Sequence, residues 1–268
     1  MELDPAKLVK HVNDADAFEL PFGIEIELPK VFGHQITKFM ILELAVAILM
    51  VLIFVPLARK LANDKPPKGH FWNMFEAIIL FLRDGVVRPA VGSHDAHRFL
   101  PFILTIFFFI LFCNLMGLVP SMGSPTASFS VCATLAIVTF LVGVGSGMWK
   151  YGPLRFWTGL CPPLDVPILL KVFLVPLVLV LEIVGLLIRY SVLAVRLLAN
   201  MFGGHLGLAI IIGFIPAVAG SMVWFGVMPM AVFGATAISM LELFVAFLQA
   251  YVFSFLAALF IGMAVHQH

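Results

Sequence analysis

Residues 189–214 read RYSVLAVRLLANMFGGHLGLAIIIGF, and they place two arginines and a histidine inside a run that is otherwise apolar enough to lie in lipid. An arginine near the centre of a bilayer costs between about 3 and more than 10 kcal/mol, according to how far snorkelling and local water relieve it. A chain that keeps charge in such a run is expected to use it. The stretch therefore predicts a membrane protein with a functional charge.

The composition of the whole chain supports this class. Of the 268 residues, 62% are hydrophobic and 12% are charged, and the mean hydropathy is +1.10. These values predict a polytopic membrane protein and not a soluble globule. Residues 1–38 are expected to form an acidic extramembrane segment, and residues 39–268 a single membrane domain. The first 38 residues hold seven acids against four lysines and contain no basic region followed by an apolar one, so no cleavable signal is expected. Nothing in the charge pattern indicates a nucleic-acid partner.

Apolar segments of about 20 residues or more predict five membrane spans. They cover residues 39–57, 99–120, 127–148, 172–213 and 230–265. The last two are longer than a bilayer requires, so we expect a hairpin of two long, strongly tilted or bent helices. Residues 71–89 carry four charges, among them Glu76, Arg83 and Asp84, in a modest apolar pattern, which predicts one helix lying in the membrane interface. The predicted fold class is an all-α membrane protein.

Basic residues predict the orientation of these spans. Seven lysines and arginines lie between Arg59 and Arg98 and three between Trp149 and Lys171, whereas the loops near Ser121 and Ala217 have none. Because cytoplasmic loops carry the excess of basic residues, the amino terminus is predicted outside and the carboxyl terminus in the cytoplasm.

The charges of the fourth predicted span fall on one face. At about 100° per residue, Glu182, Arg189, Arg196 and Asn200 lie within roughly 40° of one another, and two glycines continue the strip. One interpretation is an internal ion-pair network that only fixes helix packing. However, Glu182 is about four turns from Arg196, too far to satisfy a guanidinium with five donors. We therefore expect the missing acceptor on another chain.

A second pair of ionisable residues lies on the two long segments. His205 follows Arg196 by nine residues and so faces roughly the opposite side of its helix, while Glu242 and Gln249 share a face of the last helix. A lone histidine in an apolar run is often a satisfied structural residue. A histidine beside an intramembrane carboxylate can instead exchange protons near neutral pH. Such groups are typical of a proton path.

Other candidate motifs predict no catalytic or cofactor site. Cys113, Cys132 and Cys161 lack metal-ligand or CxxC spacing and are expected to be inert buried thiols. His94 and His97 lie beside charged residues, which favours a solvated loop over a metal site. No GxxxxGK[ST] phosphate-binding loop occurs, so no catalysis of ATP chemistry is expected of this chain. No metal or cofactor is expected either.

Four stretches of the sequence resemble subunit a of the F-type ATP synthase, in the order that the family has them. They are CNLMGLVP (113–120) followed by SPTASFSV, LVLEIVGLLIRYSVLAVRL around Glu182, RLLANMFGGH (196–205) and LELFVAFLQAYVFSFLAALF (241–260). The resemblance runs from about Gly33 to near the carboxyl terminus. It implies a stator subunit in a bacterial inner membrane, pressed against a rotating ring of c subunits and joined to peripheral-stalk b subunits and the remaining synthase subunits.

The resemblance also implies roles for single residues. Arg196 matches the essential arginine that faces the ring carboxylates, with Asn200 and Gln249 as its polar neighbours. Glu182 matches a carboxylate of the inner half-channel. His205 and Glu242 match two positions of the outer half-channel, with the histidine on the arginine helix as in the mitochondrial arrangement.

Three alternatives remain open from the sequence. A sodium-translocating version of the same subunit would need oxygen ligands mainly on the ring, and His205 favours protons over sodium. A secondary transporter would bind a solute at its midplane, yet no internal repeat is found. A purely structural scaffold would have little use for so many intramembrane charges.

Overall fold

The computed structural model of the chain describes most of the sequence after residue 16. The described residues are 17–20, 24–27, 30–31, 34–35, 37–61, 69–119, 123–159, 168–218, 220 and 222–266. Cys161 lies outside them, as do residue 120 at the end of the second predicted span and residues 121–122 of the loop that follows it.

Helices dominate the described residues. In chain order they are α1 (Lys38–Leu61), α2 (His70–Leu82), a π-helical turn (Arg83–Val87), α3 (Arg88–Val91), α4 (Ala96–Gly117), a 3-10 turn (Pro125–Ala127), α5 (Phe129–Tyr151), α6 (Pro153–Gly159), α7 (Ile168–Ala217) and α8 (Trp224–Val265). Helices α1, α4, α5, α7 and α8 are long and apolar enough to cross a membrane. The five predicted spans and the all-α membrane fold are thereby confirmed.

The last two helices are far longer than a bilayer is thick. Helix α7 has 50 residues and α8 has 42, which at 1.5 Å per residue corresponds to about 75 and 63 Å against a hydrocarbon core of about 30 Å. Helices of this length can remain in a membrane only if they tilt or bend. Between them lies a short connection that contains Gly220, whose positive φ of 103° suits a turn.

The predicted interfacial segment begins as α2 and continues through the π-helical turn into α3. With 13 residues, α2 is too short to cross the hydrocarbon core. The π-helical turn precedes Pro89, and this proline has no N–H to donate to the carbonyl of Gly85. The N–H of Arg88 donates instead to the carbonyl of Arg83, five residues before it, which is the π-helical hydrogen bond. The missing donor of the proline therefore accounts for the change of helical register.

Short strands precede the first helix and were not predicted from the sequence. Strand β1 (Ala17–Leu20) pairs antiparallel with β2 (Ile24–Glu27), and β3 (Lys30–Val31) pairs with β4 (His34–Gln35). All four lie in the predicted extramembrane segment, so they add to the helical membrane fold without changing it.

Contacts divide the chain into two units, each built from three separate stretches. Unit 1 contains Met1–Pro66, Phe108–Cys132 and Arg196–Ala250. Unit 2 contains Pro67–Phe107, Ala133–Val195 and Tyr251–His268. Because each unit draws on distant parts of the sequence, neither is an autonomous segment of the chain.

Unit 2 holds the carboxyl-terminal end of α8 by polar contacts. The Tyr151 hydroxyl donates to the carbonyl of Val265 over 2.8 Å, and His266 Nε2 lies 2.7 Å from the carbonyl oxygen of Val91. These contacts fix the end of the last helix to α5 and to α3.

Unit 2 also carries ion pairs among the residues predicted to lie on the cytoplasmic side. Lys150 Nζ donates to the Asp95 carboxylate over 3.0 Å, and this bond lowers the pKa of Asp95 below its ordinary value. Asp84 accepts bonds from Arg83 and Arg88, and the bond from Arg83 is the main cause of its lowered pKa. Such exposed pairs add little to stability.

Candidate functional site

The two ionisable residues of the long apolar helices meet in unit 1. His205 Nδ1 on α7 lies 3.9 Å from Glu242 Oε1 on α8, and the two side chains are only 14% and 8% exposed. This distance is too long for a hydrogen bond but short enough for strong electrostatic interaction where the dielectric is low. The sequence placed both residues on apolar helices, and the structure brings them together.

Antiparallel packing of α7 and α8 sets this distance. Met201 on α7, one turn before His205, is buried together with Ala246 on α8, one turn after Glu242. Ala127 of the 3-10 turn belongs to the same buried cluster. Each turn back along α7 is thus matched by a turn forward along α8. The small Ala246 side chain allows the two helices to approach closely here.

Gly204 gives the Glu242 carboxyl group its space. A Cβ atom at position 204 would collide with Glu242 Oε1 and would lie 3.0 Å from its Cγ. Any other residue at position 204 would therefore displace the Glu242 carboxyl group from its observed place.

Two polar atoms of this pair lack partners. Among the described residues, His205 Nε2 and Glu242 Oε1 are buried and make no hydrogen bond. A buried polar atom left unsatisfied costs about 1–3 kcal/mol. A buried nitrogen or oxygen atom without a hydrogen-bond partner is suited to accepting or passing a proton, because no neighbouring group already donates a hydrogen bond to it.

A polar cluster next to the pair was missed by the sequence analysis. The Thr126 hydroxyl donates to Asn114 Oδ1 over 2.6 Å, the Ser124 hydroxyl lies 2.6 Å from that of Thr126, and Asn114 Nδ2 donates to the carbonyl of Ala246 over 3.3 Å. All three polar side chains are at most 1% exposed. An asparagine within an otherwise apolar span was the signal in the sequence, since a buried amide needs partners.

The arginine strip of α7 lies beside the packed side of its helix. Arg196 is half-buried, and Asn200 and Gly203 are exposed. The buried residues of this part of α7 lie to one side of the strip, between about 60° and 160° from Arg196 around the helix, and they are Tyr190, Leu193, Ala194, Leu197 and Met201. Within the part of the chain that the structure describes, Arg196 makes no ion pair or hydrogen bond.

The remaining predicted site residues lie apart from the pair. Glu182 is half-buried and Arg189 is exposed, and both belong to unit 2. Gln249 is buried on α8, two turns beyond Glu242. No hydrogen bond between described residues joins Arg196 to Asn200 or Gln249.

Predicted residues outside this site keep ordinary surroundings. Cys113 and Cys132 are buried and free, and Cys132 donates its thiol hydrogen to the carbonyl of Thr126. His94 is fully exposed beside Asp95. Among the described residues no group of three His, Cys, Asp or Glu could hold a metal ion.

Five long apolar helices that carry a buried histidine and carboxylate pair and a half-buried arginine define a polytopic membrane protein with ionisable groups on its membrane helices. Residues 40–262 match the family described as ATP synthase A chain. The chain belongs to this family, and therefore to the membrane subunits of ATP synthase.

Curated relatives agree with this assignment over nearly the whole chain. ATP synthase subunit a of Chloroherpeton thalassium is 39% identical over 98% of this chain and 78% of its own length. ATP synthase subunit a 2 of Chlorobaculum tepidum is 36% identical over 96% of this chain and 72% of its own length. The subunit of Myxococcus xanthus is 38% identical over 87% of this chain and 75% of its own length.

Proposed function

We propose that this chain is the proton-translocating stator subunit of a rotary ATP synthase, with two offset half-channels and an arginine that faces the carboxylates of a c-subunit ring. The observation that carries the proposal is the buried pair of His205 and Glu242, 3.9 Å apart on two apolar helices. A pair of ionisable groups buried on apolar helices has a cost that a function in ion movement explains well. Imidazole is a proton carrier and a poor sodium ligand, which favours protons.

The proposed outer half-channel leads through this pair. A proton from outside passes His205 and Glu242 and neutralises a ring carboxylate, which can then face lipid because it no longer carries a charge. The ring turns, and the carboxylate later releases its proton into the inner half-channel near Glu182. The membrane potential contributes about 2.3 kcal/mol per charge for each 100 mV.

Arg196 is proposed to separate the two half-channels. Its exposed strip leaves the guanidinium available to a partner, and an ionised ring carboxylate supplies the acceptor that the described residues do not. Arginine stays protonated at any accessible pH, so it attracts the ionised carboxylate and cannot itself relay the proton. Asn200 lies one turn further along the same face and Gln249 at a similar level of α8, where both can hydrogen-bond a carboxylate in transit.

Reconstitution tests this proposal against a secondary transporter. Lipid vesicles containing the purified chain alone are expected to show no potential-driven proton flux, because the ring carboxylate that bridges the half-channels is absent. Vesicles with the chain, the b subunits and the ring are expected to conduct, and a pH-sensitive dye inside the vesicles measures the flux. Conduction or solute uptake by the chain alone would contradict the proposal.

The proposed orientation in a bacterial inner membrane, with the amino terminus outside, has a separate test. Cysteines replacing His94 and Met222, which are fully and 93% exposed, are placed in a background without Cys113, Cys132 and Cys161. A membrane-impermeant maleimide is expected to label position 222 in intact cells and position 94 only in inverted vesicles, because the basic loops are cytoplasmic. Labelling of both positions from one side would contradict the five-span topology.

A further inference from the structure

Gly117, at the carboxyl-terminal end of α4, touches the proposed proton-transfer pair. A Cβ atom at this position would lie 2.9 Å from His205 Nε2 and 2.5 Å from the Cβ of Ser124. Real Cβ atoms essentially never approach other heavy atoms so closely. The missing side chain is therefore what allows the imidazole ring and Ser124 to pack together against α4.

Ser124 is held in this place by the polar cluster already described. Thr126 gives its hydroxyl hydrogen to Asn114 Oδ1, so the 2.6 Å contact between the two hydroxyls requires Ser124 to be its donor. Ser124 Oγ also lies 3.2 Å from the carbonyl oxygen of Cys113. The hydroxyl hydrogen of Thr126 thus has a fixed acceptor, and the single hydroxyl hydrogen of Ser124 has two acceptors within reach.

This arrangement is suited to holding the structure and not to relaying protons. The chain of hydroxyls ends at the Asn114 amide, which neither takes up nor releases a proton at accessible pH. Asn114 instead gives its own N–H to the carbonyl of Ala246, one turn after Glu242. The cluster therefore ties the loop before α5 to the helix that carries the carboxylate.

We propose that Gly117 and the Ser124, Thr126 and Asn114 cluster are positioning elements that set the distance between His205 and Glu242. Gly117 gives the imidazole its space on α4, and the cluster fixes the facing loop and α8 around it. This inference rests on the proposed function, because the distance matters for flux only if the pair passes protons.

The first test compares alanine at two glycines in the assembled synthase. Gly117→Ala is expected to lower potential-driven proton flux at least about tenfold, since overpacking a close contact is strongly unfavourable. It should also shift the pH dependence of that flux, because the imidazole is displaced from Glu242. Gly145→Ala is the matched control: it lies on a membrane helix with nothing within 4 Å of the added Cβ, and flux should be unchanged. Flux and pH dependence in Gly117→Ala that equal those of the wild type would overturn the role of Gly117.

The second test concerns the cluster. Thr126→Val keeps the shape but leaves the Asn114 oxygen unsatisfied, so flux should fall at least about fivefold, whereas Thr126→Ser keeps the hydroxyl and should restore most of it. Adding Ser124→Gly to Gly117→Ala relieves the contact with Ser124 but not the one with His205, so the double variant should stay impaired. Full recovery in that double variant would show that the contact with His205 is immaterial.

The rate of disulfide formation does not depend on proton flux, so measuring it tests the positioning role separately from the proposed function. Cysteines replacing Met201 and Ala246, which are buried in one cluster, should form a disulfide with iodine in the thiol-free complex, and Thr126→Val should slow its formation. Slower disulfide formation with normal flux would leave the positioning role intact and count against the proton role of the pair. Unchanged disulfide formation together with unchanged flux would overturn the positioning role itself.

Discussion

Arg196→Ala is expected to abolish ATP synthesis while passive proton conduction through the membrane sector persists or rises. The change removes a permanent positive charge from a site of low effective dielectric. At an effective dielectric constant of about 20, a charge at 4 Å is worth roughly 4 kcal/mol, so a ring carboxylate should ionise at least about 100-fold less readily. The electrostatic barrier between the half-channels is lost at the same time. ATP synthesis and potential-driven flux are measured in the same inverted vesicles.

Two further variants sharpen this prediction. Arg196→Lys keeps a cation but loses the planar guanidinium, and a buried lysine can release its proton, so synthesis should also fail. Arg189→Ala is the matched control, because it removes the same charge from the same helix face two turns away. It should retain most of the synthesis. Normal synthesis by Arg196→Ala would rule out the proposed role of this residue.

Exchanging His205 and Glu242 is expected to preserve function that either single replacement destroys. His205→Ala and Glu242→Ala each remove one member of a proton-transfer pair, which is typically worth about 100-fold or more in rate. The combined change of His205→Glu and Glu242→His again places a carboxyl group and an imidazole at the two positions whose side chains approach to 3.9 Å in the wild type. Proton flux should then recover to within about tenfold of the wild type.

The single exchanges are the controls for that experiment. His205→Glu places two carboxylates together and Glu242→His places two imidazoles together, so each should be as impaired as the alanine variants. Gly204 makes room for a carboxyl group from α8, and the larger imidazole at position 242 explains why recovery is expected to be partial. A double variant no better than either single exchange would contradict direct coupling.

The spans of this protein could be predicted from the sequence because lipid imposes a simple rule. Segments of about 20 apolar residues must be helical in a bilayer, and all five were found with ends a few residues from those observed. The π-helical turn before Pro89 and the strands before Lys38 depend on local hydrogen bonding, which leaves little trace in hydropathy.

The candidate site was only partly accessible to the same reasoning. Helical periodicity placed Arg196 and His205 on opposite faces, and the structure leaves Asn200 and Gly203 exposed beside Arg196 while it packs His205 against Glu242. That His205 meets Glu242 depends on the antiparallel register of α7 and α8, which periodicity within one helix cannot supply. The roles of Gly117 and Thr126 depend on contacts between segments distant in sequence, so they became visible only in three dimensions.

The most direct test of the account is whether the leak through an Arg196→Ala complex still requires the histidine and carboxylate pair. Potential-driven proton flux is compared between inverted vesicles that carry Arg196→Ala alone and those that carry Arg196→Ala with Glu242→Ala. If protons reach the ring only through the outer half-channel, the second change should reduce the leak to the level of vesicles without the membrane sector. An undiminished leak in the double variant would contradict the proposed path through His205 and Glu242.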